Sequence, residues 1–412
     1  MKMKLPQKIK TNYMKLNLNI YIASNVGMDY FFFLQKILHN SECNVQAIYL
    51  ISESDYRASA KSKGFKKIYL RLQMYILYPI LLISKAIVSP RNSIFIVSSN
   101  TFYAPLLTKL SVFWKHTKVI HLLYDLYPDA IEVAGIIKQN GLLSKFIGTL
   151  SRNNFNLTDA TVYLGDFLKL HAETRWTFPK RSFVIPISTD LTLYEKEFSP
   201  LPDTERIIIH YGGQIGHLHD ASSLIECIKH VLASDLNNKV DFNFYVSGAQ
   251  AKFLEESLYG YPVKIKPAVN SNEWRKDIKN FHIGLVTLTP GGATVCLPSK
   301  TYGMMAGGLS ILAICPLWSD LANLILENNA GWVINNANSK VLNQVDLLST
   351  KYLSEVCQIR KIDQIKSDFY IALKIIVENK NLIREKRKNA FENIRLKYSA
   401  EELGKKWLKV IE

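Results

Sequence analysis

The segment Thr289-Pro-Gly-Gly-Ala-Thr-Val-Cys-Leu-Pro-Ser-Lys-Thr-Tyr-Gly-Met-Met-Ala-Gly-Gly-Leu-Ser-Ile-Leu-Ala313 could do chemistry. It reads as strand end, glycine loop, short helix and next strand. Ser299 follows Pro298 as the expected N-cap, with Lys300 and Thr301 in the first turn and Gly303 further along. A cation there faces the positive end of the helix dipole, at a cost of a few tenths to about 1 kcal/mol. A bound anion reverses the sign. No Asp or Glu occurs between Asp277 and Asp320. This acid-free window reads as a diphosphate site; the alternative is a solvated lysine beside a structural turn. A second glycine turn, Ile209-His-Tyr-Gly-Gly-Gln-Ile-Gly-His-Leu-His-Asp220, joins a strand to a helix. Gly212, Gly213 and Gly216 let the backbone approach a ligand closely. N–H groups at such a turn can hold a phosphate, with Gln214, His217 and His219 beside it. Asp220 is a candidate cap for the next helix. The turn matches neither GxGxxG nor a Walker loop, so a plain connection fits it equally well.

Two further segments follow strands. Val119-Ile-His-Leu-Leu-Tyr-Asp-Leu-Tyr-Pro-Asp129 sets Asp125 just past a strand end, where a carboxylate can bind sugar or acceptor hydroxyls, or simply cap a loop. Ser24-Asn-Val-Gly-Met-Asp29 sets Gly27 and Asp29 after the first strand, as a substrate approach or a connecting turn. The nine histidines show no metal spacing, and no GxSxG is present, so no metal site or nucleophile elbow is expected.

Positioning these groups requires a particular scaffold. Short apolar runs at Leu16–Ala23, Val45–Ile51, Ser93–Ser98, Lys118–Tyr124, Ala160–Leu164 and Phe183–Ile187 alternate with helix-length segments. The rhythm restarts at Arg206–Tyr211 and continues through Val240–Val246, Val263–Ile265, His282–Leu288, Ser310–Ile314 and Gly331–Ile334. This is α/β patterning: two tandem doubly wound, Rossmann-like domains facing a cleft, joined near residues 195–205. The 412 residues and 48% apolar content agree with two globular domains. Five scattered cysteines without a CxxC suit a reducing cytoplasm.

The formal net charge is +16, which attracts phosphorylated ligands, anionic lipid or nucleic acid. Basic repeats interleaved with aromatic residues are absent, so nucleic acid is not the expected partner. Gly64–Arg91 is strongly apolar, flanked by Lys61, Lys63, Lys66, Lys67 and Arg91, and interrupted by Arg71, Pro79 and Lys85. The proline and charges argue against a span. The stretch suits the surface of an anionic membrane, or else a pair of buried helices.

The order of these motifs resembles family 4 of the retaining, GT-B fold glycosyltransferases. Tyr211-Gly-Gly-Gln-Ile-Gly-His-Leu-His-Asp220, the Gly248 turn and Pro298-Ser-Lys-Thr-Tyr-Gly-Met-Met-Ala-Gly-Gly308 carry the likeness. Asp125-Leu-Tyr-Pro128, Ile185-Pro-Ile-Ser-Thr-Asp190 and Asn389-Ala390 with Tyr398-Ser399 extend it from about residue 16 to 410. The closest flavour is the bacterial branch that builds O-antigen, capsule or other envelope polysaccharides. The resemblance implies an acceptor-side domain over residues 1–195 and a nucleotide-sugar domain over 196–380. A terminal helix, 381–412, would return to the first domain. It implies donor contacts at Gly212, Gly213, Gln214, Gly216, His217, Gly248, Pro298, Ser299, Thr301 and Gly303. Gly27 and Asp29 would lie on the acceptor side, and no metal or cofactor would be needed. Many members carry two glutamates and an Arg–Lys pair that are missing here; Val295 and Gly303 stand in the glutamate places.

The expected activity is retaining transfer of a sugar from a nucleotide-diphosphate donor to a lipid-linked glycan acceptor. Lys300 would stabilise the leaving diphosphate and Asp125 would orient the acceptor or the transferred sugar. The expected location is the cytoplasm, peripheral on the inner face of the plasma membrane. The alternatives are a non-catalytic subunit of a membrane-associated transferase and a GT-B nucleotide-sugar 2-epimerase.

Overall fold

The computed structural model describes residues 18–39, 43–60, 64–202, 204–338 and 355–412. Leu16, the predicted start of the first strand, lies outside the described residues, as do Lys61 and Lys63. The apolar runs form two six-stranded sheets. The first holds β1 (Asn19–Ala23), β2 (Asn44–Ile48), β3 (Ile94–Ser98), β4 (Lys118–Leu123), β5 (Ala160–Tyr163) and β6 (Ser182–Val184). The second holds β7 (Ile207–Gln214), β8 (Val240–Ser247), β9 (Val263–Pro267), β10 (Ile283–Thr287), β11 (Ser310–Ile314) and β12 (Gly331–Ile334). All neighbours within each sheet pair in parallel. Parallel strands are covered on both faces, so their residues are apolar throughout. β3, β10 and β11 follow this rule and are buried along their whole length. The edge strand β9 breaks it, because exposed Lys264, Lys266 and Pro267 blunt a free edge.

Strand order is β2-β1-β3-β4-β5-β6 in the first sheet and β9-β8-β7-β10-β11-β12 in the second. The winding reverses between β1 and β3, and again between β7 and β10. Ligands of such sheets sit outside the carboxyl ends of the strands at these reversals. The two crevices face each other. Leu126, just past β4, donates its N–H to the Val295 carbonyl, past β10, at 3.4 Å.

A second contact joins the domains through a carboxylate. Asp320 begins the helix Asp320–Glu327 of the second domain. Its side chain accepts from the N–H groups of Phe167 and Leu168, both at 2.9 Å, in the first domain. Those groups open the helix Asp166–Arg175, so an anion from one domain caps a helix of the other. Gly165 makes room for it: a Cβ there would lie 2.2 Å from the Asp320 carboxyl carbon.

The tail differs from a single returning helix. Lys380–Lys397 stays on the second domain, where Arg387 is fully buried and donates to the Gly308 carbonyl at 2.6 Å. The chain turns at Tyr398 and Ser399. Ala400–Ile411 then reaches the first domain, where Lys118 donates to the Ile411 carbonyl at 3.2 Å. Ser399 caps this last helix by accepting from Glu402 N–H.

The apolar stretch is one continuous helix, Phe65–Val88, rather than a buried pair. A π-helical turn, Gln73–Leu77, interrupts it, and Pro79 falls in the first turn of the following α-helical part, where its missing N–H costs nothing. Tyr78, Leu82 and Ala86 pack against Phe95 and Val97 of β3. By length and composition the helix could cross a bilayer: an 18-residue window of it has a mean hydropathy of 1.3, and 22% of that window is buried.

Replacing Asp320 with Ala should loosen the domain contact. Loss of two charge-assisted hydrogen bonds weakens it on the order of 2 kcal/mol. Small-angle scattering should show a larger radius of gyration for Asp320→Ala, and for Gly165→Ala, than for the native chain.

Candidate functional site

The glycine turn at the end of β7 is held from two sides. Ile215 donates to the Ser247 carbonyl at 2.7 Å and accepts from Gln250 N–H at 3.1 Å. The Gln250 amide also donates to the carbonyls of Gly216 and His219. Gly213 (φ 103°) and Gly248 (φ 105°) occupy the left-handed region that favours glycine. Open space surrounds the Gly213 Cβ position, whereas a Cβ on Gly248 would lie 2.7 Å from the Ile215 carbonyl oxygen. Gly212 serves packing instead, since its Cβ would strike Trp274 at 2.5 Å. Asp220 caps the helix Ala221–Leu232 by accepting from Ser223 N–H at 3.0 Å, and Asn336 donates to its other oxygen at 2.7 Å. His219 accepts from Gly216 N–H at 3.1 Å. Burial, aided by the nearby Lys300 charge, keeps His219 neutral. His217 and Gln214 are exposed beside the turn.

Lys300 leaves its own helix and crosses to this turn. Its amine donates to the Tyr211 hydroxyl at 2.6 Å and to the Gln214 carbonyl at 2.8 Å, with Nζ 4.0 Å from the Tyr211 ring centroid. Desolvation lowers its pKa to about 7. Ser299 does not cap the helix Lys300–Ala306, contrary to expectation, because its backbone is already helical. Its hydroxyl is instead shared with Tyr124 of the first domain. Pro298 and Thr301 are buried, and the Thr301 hydroxyl has no hydrogen-bond partner among the described residues. A Cβ on Gly303 would approach the Tyr194 hydroxyl at 2.9 Å and the Trp274 ring at 3.3 Å.

Asp125 faces this group from the other domain. The Ser99 hydroxyl accepts from Asp125 N–H at 3.1 Å and donates to its carbonyl at 2.8 Å. Burial raises the carboxyl pKa to about 6. The Cys296 thiol feels both charges, Asp125 raising its pKa and Lys300 lowering it, while burial dominates and raises it. Below the Asp125 loop, Asp129 is fully buried. Its carboxylate meets His171 Nε2 and Trp176 Nε1 at 2.9 Å each and the Arg175 guanidinium at 2.8 Å. Although desolvation opposes ionisation, the His171 hydrogen bond and the Arg175 charge hold the Asp129 pKa low.

On the first-domain side, Gly27 sits in a two-residue strand paired with Ile51–Ser52, and its missing Cβ accommodates the Tyr49 ring at 2.9 Å. Asp29 opens the helix Asp29–His39 and lies 3.7 Å from Arg275 of the second domain. Gly27 and Asp29 thus border the cleft without touching Lys300. Sequence reasoning missed Trp274, Arg275, Tyr124 and Cys296. Trp274 donates to His210 Nε2 at 2.9 Å, which sends the His210 Nδ1 proton to the Asn243 carbonyl at 2.8 Å. The Gly212 beside His210 was the available signal, because a glycine there admits an indole. Among the described residues no cluster of His, Cys, Asp and Glu could hold a metal ion.

No family model matches the chain. A Pseudomonas aeruginosa protein described as Probable glycosyltransferase WbjE is 24% identical over 235 residues. The match covers 52% of this chain and 55% of that protein, so the chain spans about half the length of the curated relative it matches. A crystal structure of TarM superposes with a TM-score of 0.64 at 14% identity, over 98% of this chain and 100% of the other. Anabaena HepE in complex with UDP gives a TM-score of 0.60 at 10% identity, over 96% and 99%. The fold is GT-B. Its two Rossmann-like domains set Lys300 and Asp125 on opposite walls of one cleft.

The two glycines of the clamped turn should respond differently to a methyl group. Gly248→Ala combines strained backbone with a clash and should cost about 1–3 kcal/mol. Gly216→Ala, whose nearest neighbour is His219 Nδ1 at 3.9 Å, should melt close to the native temperature. Thermal melts of both variants measure this.

Proposed function

We propose that the chain is a retaining, metal-independent glycosyltransferase of family 4. It would move a hexosyl unit from a nucleotide-diphosphate sugar to a lipid-linked glycan in bacterial surface polysaccharide synthesis, such as O-antigen or capsule. The observation that carries this reading is the pairing across the cleft: a desolvated amine at the end of the donor-side sheet and a desolvated carboxylate at the end of the facing one. Similarity to a probable glycosyltransferase, and to HepE with bound UDP, supports a glycosyl donor and favours uridine as its base.

The diphosphate lies against Gly213, Gly216 and the Lys300 amine, with Gln214, His217, Gly248 and Ser299 around it, while Gly212, Pro298, Thr301 and Gly303 form the buried layer behind that donor wall. Glycine at 213 leaves that approach open. The acceptor hydroxyl attacks the anomeric carbon on the face from which the diphosphate departs. The bond from anomeric carbon to phosphate oxygen breaks, the new glycosidic bond forms, and the hydroxyl proton passes to the departing oxygen. Lys300 donates to the charge that develops there. Asp125, ionised above about pH 6, accepts from a hydroxyl and aligns the acceptor. No resident cofactor takes part. Gly27 and Asp29 bound the acceptor side.

The protein works in the cytoplasm on the inner face of the plasma membrane. The exposed face of Phe65–Val88, with the exposed cations Lys66, Lys67, Arg71 and Lys85, supports docking on anionic lipid.

Two outcomes test this. UDP should raise the melting temperature, and Lys300→Ala should weaken UDP binding about 10- to 100-fold while the chain stays folded. Lys300 must gain its proton to meet the diphosphate. UDP affinity should therefore be full below pH 7 and decline as pH rises through about 7. Calorimetry over pH 6–9 measures the slope; a flat profile removes Lys300 from the site, and no binding of any nucleotide sugar favours the non-catalytic subunit. Separately, sedimentation with vesicles of 3:1 phosphatidylcholine and phosphatidylglycerol should show salt-sensitive binding that Lys66→Gln with Lys67→Gln weakens.

A further inference from the structure

An ammonium carries three N–H donors and no acceptor. Lys300 spends two of them within the protein, one on the Tyr211 hydroxyl at 2.6 Å and one on the Gln214 carbonyl at 2.8 Å. Its side chain is half-buried, which leaves the third N–H for the cleft. The direction of that last donor is therefore set by the two groups that hold the others.

Neither of those groups is an anion. Tyr211 belongs to β7, is fully buried, and packs edge-on against Phe244 with ring centroids 6.0 Å apart. Burial pushes its hydroxyl well above the usual tyrosine range, so it stays a neutral phenol. That hydroxyl gives its own proton to the Gln214 carbonyl at 3.3 Å. With its proton committed there, it offers only lone pairs to Lys300. The face of the ring adds to this, with Nζ 4.0 Å from its centroid. A carboxylate in the place of the hydroxyl would hold the amine as firmly but would cancel the charge. Tyrosine holds it and leaves the charge available.

The other titratable groups around the amine are neutral as well. His210, on β7, and His219, past the glycine turn, both feel the Lys300 charge, and burial keeps both unprotonated. Cys296, just before the helix Lys300–Ala306, is kept as a thiol by burial, and Asp125 reaches that thiol from the facing wall. The two acceptors on the donor-side wall are thus what orient the cation.

We propose that Tyr211 is the positioning residue of this amine: its hydroxyl, together with the Gln214 carbonyl, holds Lys300 as a cation with a single donor aimed at an anionic ligand group in the cleft. The inference rests on the donor reading above and assigns to it a residue that does not itself touch the ligand. Two consequences follow from the geometry. A hydrogen bond that is stronger to the charged amine raises the pH at which the amine loses its proton, so removing the hydroxyl lowers that pH. Removing it also frees the side chain to turn, so the anion meets a less ordered donor.

Competitive acetylation of the full chain with acetic anhydride, read by mass spectrometry on the Lys300 peptide between pH 5 and 9, follows the amine without any ligand. In Tyr211→Phe, which keeps the ring, the midpoint of the acetylation profile should fall by about one pH unit. Calorimetry with UDP then asks whether the hydroxyl acts through Lys300. Tyr211→Phe should weaken UDP binding about tenfold in the native chain and should change nothing in a chain that already carries Lys300→Ala. The same acetylation midpoint in native and Tyr211→Phe chains overturns the proposal. So does UDP affinity that Tyr211→Phe leaves unchanged, and so does an equal loss with and without Lys300, which a purely structural tyrosine would give. A midpoint that falls in a chain that binds no UDP supports the hold on the amine and overturns the donor reading instead.

Discussion

The cleft depends on holding a half-buried amine and a half-buried carboxylate without letting them pair. Lys300 gives its hydrogen bonds to Tyr211 and to the Gln214 carbonyl, and Asp125 is fixed through its backbone by Ser99. Each charge is disfavoured by burial: the lysine is lowered to about 7 and the aspartate raised to about 6. An ion pair would quench both. Holding them apart leaves each ready to meet a ligand group of opposite or complementary character, which is the kind of preorganisation an electrostatically driven transfer requires.

That separation needs rigid support on both walls. Under Asp125, the fully buried Asp129 gathers His171, Trp176 and Arg175, so the loop after β4 rests on a buried polar network. Under Lys300, the glycine turn is clamped by Gln250 and by the close approach of Gly248 to Ile215. The two walls are then held in register by Asp320, whose carboxylate caps a helix of the opposite domain, and by the returning helix Ala400–Ile411.

Much of the scaffold was legible because parallel strands announce themselves. Twelve apolar runs in the sequence correspond to the twelve strands of the two six-stranded sheets, differing by a few residues at their ends, and the restart of the pattern after Phe183–Ile187 marks the second domain. Asp220 was readable as a cap because capping is a local event. Ser299 was misread for the same reason. Its type and place suit an N-cap, but its backbone is helical and its hydroxyl has a partner in the other domain, which local rules cannot see. The terminal segment was read as one helix because its residues favour helix throughout; Tyr398 and Ser399 divide it so that its last turns can reach the first domain.

The sequence alone determined the fold class, the glycine-rich turns and the acid-free window around Lys300, since each follows from periodicity or from residue type at short range. Tertiary structure decided the chemistry of that window. No acid stands near Lys300 in sequence, yet Asp125 is brought within reach of the same cysteine. The apolar helix Phe65–Val88 likewise gains a π turn, Gln73–Leu77, that Thr101, just past β3, ties down by donating to the Met74 carbonyl. Both results depend on burial and on which surfaces meet. A charge loses its water, or a ring finds its neighbours, only when distant segments pack, and spacing along one chain does not encode that distance.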